Sequence, residues 1–357
     1  MNAALMILLF AICGFIAMYI SFAPVVKKYM QTLQFKIWML PLWYVLTFYT
    51  VGSVAAYFLL DNHDFIEPLT FSRAILPIGL ALIIYIASLI ESRIGFMLTT
   101  VAAVGLAVWM QPIGDGSPFP KLDVNIVRCA IVVFGVIFCL LYRLMNSTTQ
   151  AFAIPLLAIL FGLIVLGIIG AIPMFSALCA TILLGILMAF LNINYYGAKI
   201  NMDCGSCAAV AFLVFYLLIL QIGEFSFMSC AVLTGVFWAE LLSALWYRYF
   251  VTHSGNLLEN TCYYEAATKY SHHILAINIA KICTVNVFLA WFQLFSVNTF
   301  SMPLITLLII LWLNSSFGRS DKNEPKNLKE INQAFVKDLK QNIQAAKDAL
   351  KISKEDK

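Results

Sequence analysis

Four short polar interruptions in otherwise apolar sequence hold the residues able to do chemistry: Glu91, Asn146, Asp203 and the pair His272–His273. The stretch from Asn192 to Ser206 is the richest. It places Asp203 and a Gly-Ser step where a helix should begin, and helix N-termini present backbone N–H groups to anions. One acid suffices for Mg²⁺ when substrate phosphates supply the remaining ligands. The segment Glu91-Ser92-Arg93 reads equally as a hairpin turn with a snorkelling ion pair. Arg143 to Gln150, around Asn146, reads equally as a capped turn. The long segment 248–276 carries Tyr263-Tyr264-Glu265, Lys269 and the two histidines. Adjacent histidines diverge on a helix, so they clamp a metal poorly and suit phosphate or uridine contacts better. Glu240 falls about two turns inside an apolar run, where an unpaired charge is costly.

These groups are carried by a chain that is 62% hydrophobic and only 11% charged, against roughly a quarter charged in soluble domains. A bilayer-spanning helix needs about 20 apolar residues. Such runs occur near 3–24, 37–60, 73–91, 95–112, 125–145, 150–169, 171–193, 205–222, 226–247, 277–297 and 301–317, the sixth and seventh separated by little more than Gly170. The expected fold is therefore all-α: a polytopic membrane protein with about eleven transmembrane helices. Lys27, Lys28, Lys36, Arg93, Arg143, Lys199, Arg248 and Lys269 would share one side with the lysine-rich tail, and Asp61, Asp64, Glu67, Asp115, Asp123 and Glu224 the other. The positive-inside rule then predicts the N-terminus outside and the C-terminus inside, with all four polar interruptions on the cytoplasmic face of an inner (plasma) membrane.

The first run reads as an anchor stopped by Lys27–Lys28 and not as a cleaved leader. Nine cysteines, several of them within spans, behave as small core residues. The spacing Cys204-Gly-Ser-Cys207 has no second pair to complete a metal site. Residues 1–318 form the membrane domain and 319–357 a charged tail. Within 326–352, Leu328, Ile331, Phe335, Leu339, Ile343, Ala346 and Leu350 recur at three- and four-residue steps, the pattern of an amphipathic helix. Such a helix would lie on the inner membrane surface or serve as a seam for a partner. Mixed charge without aromatic interleaving argues against nucleic acid.

Taken together, the four sites resemble the polyprenyl-phosphate N-acetylhexosamine-1-phosphate transferases, among them the phospho-N-acetylmuramoyl-pentapeptide transferase and the undecaprenyl-phosphate GlcNAc-1-phosphate transferase. The best match runs from Asn194 to Ser206: Asn-Tyr-Tyr-Gly-Ala-Lys-Ile-Asn-Met-Asp-Cys-Gly-Ser against the family's N-F-P-P-A-K-I-F-M-G-D-x-G-S. Gly235 to Arg248 follows the family's acidic residue, small-residue step and basic residue. Tyr270-Ser-His272-His273 follows H-x-H-H with the first histidine replaced, and Leu89-Ile-Glu91-Ser92-Arg93 stands where the family has L-I-D-D-R. Departures are equally specific. The family's two aspartates after its asparagine motif fall on Phe152 and Pro155, and the early cytoplasmic H-x-x-x-P-x-x-G-G signature has no counterpart in residues 25–37.

The resemblance covers most of residues 70–300 and implies a Mg²⁺-dependent transfer of sugar-1-phosphate from a UDP-N-acetylhexosamine to a polyprenyl phosphate, with release of UMP. That step feeds cell-envelope polysaccharide or peptidoglycan precursor synthesis. It implies Asp203 as metal ligand and Glu91 in the place of the acid pair. Asn146, Asn194, Lys199, His272 and His273 would contact nucleotide or phosphates. The reduced acid set raises a second expectation: an inactive homologue that binds a polyprenyl carrier or scaffolds an envelope complex. Expected partners are the lipid phosphate, the nucleotide-sugar, the membrane, and a second copy or an envelope protein through the 326–352 helix. A transporter fits less well, because the polar residues collect at one surface and not at mid-membrane.

Overall fold

The computed structural model describes residues 3–30, 40–61, 71–90, 93–111, 123–144, 149–195, 202–221, 227–247, 272–294 and 307–309. Every element among them is an α-helix: α1 (Ala3–Met30), α2 (Leu40–Asp61), α3 (Phe71–Leu89), α4 (Arg93–Trp109), α5 (Val124–Leu144), α6 (Thr149–Ile168), α7 (Met174–Tyr195), α8 (Cys204–Ile219), α9 (Phe227–Leu233), α10 (Gly235–Tyr247) and α11 (His272–Leu294). These helices cover the first ten of the eleven apolar runs, the ninth of them in two pieces. Four of the helices (α1, α2, α5 and α7) are long and apolar enough to cross a membrane. The tail from 319, with its expected helix at 326–352, lies outside the described residues.

The ends of the helices have local causes. Gly170 adopts φ of +80°, and Ala171 N–H donates to the Leu166 carbonyl (2.8 Å), so α6 closes with a left-handed glycine cap and α7 can start at Met174. Asp123 Oδ1 accepts from the Asn125 N–H (2.7 Å) ahead of α5. Between α9 and α10 the chain breaks at Thr234, whose hydroxyl donates back to the Ala231 carbonyl (2.6 Å). The neighbouring Leu233 carbonyl accepts from the Asn286 amide of α11 (2.7 Å). Backbone groups released inside an apolar bundle need such substitutes.

Two helices form the interior. In α8, every residue from Gly205 to Ile219 is buried. A helix that is apolar all round requires neighbours all round, and α8 has α3 and α5 as its principal flanks. α7 lies between α1, α2 and α6. It runs in the same direction as α1, with Gly14 against Ile182 and Phe22 against Phe190 (ring centroids 6.3 Å). A Cβ on Gly185 would press into the α1 backbone, 2.9 Å from Phe15 N. Small residues at such crossings let apolar helices approach where lipid gives them no hydrophobic drive to associate. Rings from α5, α8 and α10 fill the space beside α8, with Phe138 and Phe237 at 4.8 Å and Phe134 and Phe215 at 5.9 Å.

Side-chain contacts fix which helix ends meet. Gly135 packs on Phe215, and Arg143 reaches Cys204, so α5 and α8 are antiparallel. At the far end of α8, Gln111 beyond α4 donates to the Tyr216 hydroxyl (3.4 Å), and Arg128 of α5 lies 4.8 Å over the Trp109 ring. The C-terminal ends of α3 and α5 and the N-terminal ends of α4 and α8 therefore converge at the opposite end.

Candidate functional site at the convergent helix ends

At this end α8 begins with a cap. The half-buried Asp203 Oδ1 accepts from the Ser206 N–H (3.2 Å) and also from the Ser206 hydroxyl, and Asp203 itself is extended (φ −69°, ψ 165°). This is the geometry an N-cap aspartate is selected for. Among the described residues, Oδ2 takes no hydrogen bond. The cap explains Asp203 and Ser206 locally, and Gly205 has a separate cause. A Cβ there would collide with the Ser88 side chain, reaching its Cβ at 2.7 Å. Glycine thus allows the end of α3 to press on the first turn of α8, and Ser88 in turn donates to the Tyr85 carbonyl (2.6 Å).

Tyr85 is 2% exposed and lies within electrostatic reach of the Asp203 carboxylate. Its hydroxyl is buried and has no hydrogen-bond partner among the described residues. On the other flank the half-buried Arg143 sits with its guanidinium carbon 4.1 Å above the Phe96 ring of α4, and its guanidinium lies within electrostatic reach of the Cys204 side chain. A cation over an aromatic face is held in orientation as well as stabilised. Cys207, one turn on, is buried and donates to the Met202 carbonyl (3.9 Å); both cysteines are free thiols. The ends of α3, α5 and α8 therefore bring to this region one carboxylate, one arginine and one phenol with no hydrogen-bond partner among the described residues.

The expected site residues distribute as follows. Asp203 is at the centre. Glu91 and Asn146 lie outside the described residues, as does Lys199. Their described chain neighbours do meet: Ser88 touches the α8 turn, and Arg143, near Asn146, touches both α8 and α4. Asn194, near the end of α7, turns its amide back to the Phe190 carbonyl (3.1 Å). His272 and His273 open α11, which packs on α6 and α9; their side chains lie outside those described. Phe152, at a position where the resembled family has an aspartate, is 1% exposed and meets Tyr142 edge-on (6.0 Å, 83°).

For Mg²⁺, the described residues offer Asp203 Oδ2 and no group of three or more His, Cys, Asp or Glu. Asp203 Oδ2 by itself would supply one ligand of such an ion and leave the others to groups beyond the described residues. Sequence reasoning missed Arg143 and Tyr85. Arg143 registers in the sequence only as a topological charge, and Tyr85 as one more aromatic residue of an apolar run. No protein-family model matches the chain, and a search among curated proteins likewise finds no match.

Proposed function

We propose that this chain is a divergent membrane transferase that joins the sugar-1-phosphate of a UDP-N-acetylhexosamine to a polyprenyl phosphate at the cytoplasmic face of the inner membrane. In this reading the chain crosses the membrane about eleven times, N-terminus out. The observation that supports it is the meeting of the ends of α3, α4, α5 and α8, elements that flank three polar interruptions far apart in sequence. Phosphoryl transfer asks a protein chiefly for positioning and charge stabilisation, and such a junction supplies both. Asp203 would present Oδ2 to Mg²⁺, which when bound neutralises charge on the phosphates. Glu91 would assist the attacking lipid phosphate. Asn146, Asn194, Lys199, His272 and His273 would hold the nucleotide-sugar.

A second reading, an inactive homologue that binds the lipid carrier, is favoured by Phe152. An aspartate there would be buried among rings, so the acid cannot simply be restored at this position. The two readings separate in a transfer assay with purified protein, Mg²⁺, labelled UDP-GlcNAc and undecaprenyl phosphate. The transferase reading expects turnover in wild type, with losses of about a hundredfold in Asp203→Asn and Glu91→Gln. A silent wild type, with UDP-MurNAc-pentapeptide as donor also silent, sinks that reading and leaves the carrier-binding one.

A further inference from the structure

We propose that the outer face of α11 seats an anionic phospholipid, with the lipid's charged headgroup on Lys281 and an acyl chain along the helix beyond it. The inference rests on the reading that α11 spans the membrane, and not on the transferase reading. α11 packs on α6, α9 and α10, with Ile279, Cys283, Asn286 and Ala290 buried. Its opposite face is uncovered: Ile277, Val285, Phe288 and Phe292 are exposed, the last two by 51% and 64%. Lys281 and Thr284 are exposed among them. The threonine hydroxyl is spent on its own helix, donating to the Ala280 carbonyl (2.8 Å). Lys281 has no ion-pair partner among the described residues. Neither α6 nor α9 contains an acid, and nor does the last apolar run, 301–317. Charges within spans ordinarily face a bundle interior or a water-filled cavity and have a partner there. Lys281 instead points away from the helices beside it, so its counter-charge comes from outside the chain.

Depth identifies that counter-charge. Lys281 lies four residues past the start of the apolar run 277–297, or about 6 Å along the helix axis. A lysine stem covers about that distance, so the ammonium reaches the headgroup boundary while the stem stays on apolar surface. Deeper in, Val285, Phe288 and Phe292 follow at four, seven and eleven residues from Lys281, which keeps them on one helical face. From Lys281 to Phe292 this ridge is about 16 Å long, close to half of the roughly 30 Å hydrocarbon core that an acyl chain has to fill. A cation at the boundary and an apolar ridge one leaflet deep together match a lipid with a negative head and an extended chain. A zwitterionic head carries its own cation beside the phosphate and gains less from the lysine.

The test is native mass spectrometry of the full-length protein, titrated in detergent with phosphatidylglycerol or with phosphatidylcholine of the same acyl chains. Wild type should hold the first phosphatidylglycerol more tightly by about threefold or more. Lys281→Arg should keep that preference and Lys281→Gln should lose most of it. The other basic residues, those of the tail included, are the same throughout this series, so the difference belongs to position 281. Should the glutamine variant aggregate, Lys281→Met decides by the same criterion. Equal affinity for the two lipids in wild type, or an unchanged preference in the variant that decides, overturns the inference. So does a wild-type dimer that the substitution dissolves, because a second copy would then be the occupant of this face. The span is read separately, by Phe288→Cys in a background with the exposed native cysteines replaced. In native membranes position 288 should resist a water-soluble maleimide. Labelling there sinks the spanning of α11 and the lipid seat with it, whereas protection there without a lipid preference sinks the seat alone.

Discussion

Asp203 caps its own helix through the same carboxylate that a metal role would use, and two substitutions separate the roles. Asparagine is an equally good cap, so Asp203→Asn should leave the thermal midpoint near wild type while removing the charge. Asp203→Ala removes the cap and should cost about 1 kcal/mol, read as a lowered melting midpoint in detergent. Equal midpoints for the two variants would show that the Ser206 bonds add nothing to stability. That a helix starts at Asp203 was legible in the sequence, because an aspartate just ahead of an apolar run is a helix-start signature. The reason for Gly205 was not. It depends on Ser88, and nothing in the sequence near position 205 says that the end of α3 lies there. The same holds for Arg143, whose role appears only when Phe96 and Cys204 are seen on either side of it.

At the scale of elements, apolar periodicity and length located the helices well, since an apolar run bounded by charges leaves little freedom in where a helix ends. The break between α9 and α10 escaped that logic. Residues 226–247 read as one span, yet the helix stops at Leu233 and restarts at Gly235. Threonine and glycine are common enough within membrane helices that neither marks a break. What sustains it is Asn286, 1% exposed on α11, which supplies the donor that the Leu233 carbonyl lacks. Asn286→Leu, close in size and without the amide, should therefore lower stability by about 1 kcal/mol. The measurement is thermal unfolding of the purified protein. A midpoint unchanged or raised would mean that the break persists without its clamp.

Over the whole molecule, alternate helices bring one set of polar ends together, and the proposal needs that end to face the cytoplasm, where nucleotide-sugars are made available to inner-leaflet enzymes. The charge asymmetry predicts this arrangement. Cysteines placed at Lys28 and Asp64, in a background with the accessible native cysteines replaced, should report it with a membrane-impermeant maleimide. Position 64 should label in intact cells and position 28 only after permeabilisation. The reverse pattern would turn Asp203 and Arg143 away from the nucleotide-sugar pool and end the transferase reading. The sequence carries an expectation of orientation because charges outside the spans set it. The neighbour relations of α7 and α8 were not legible there, because two uniformly apolar helices carry no stripe to say which face meets which partner.

The complete enclosure of α8 also constrains how the protein is made. Its two principal flanks, α3 and α5, both precede it in the chain, so they emerge from the ribosome first. When α8 is made, both of the helices that will flank it have already been synthesised. The helix that ends up deepest in the molecule is thus a latecomer to its assembly.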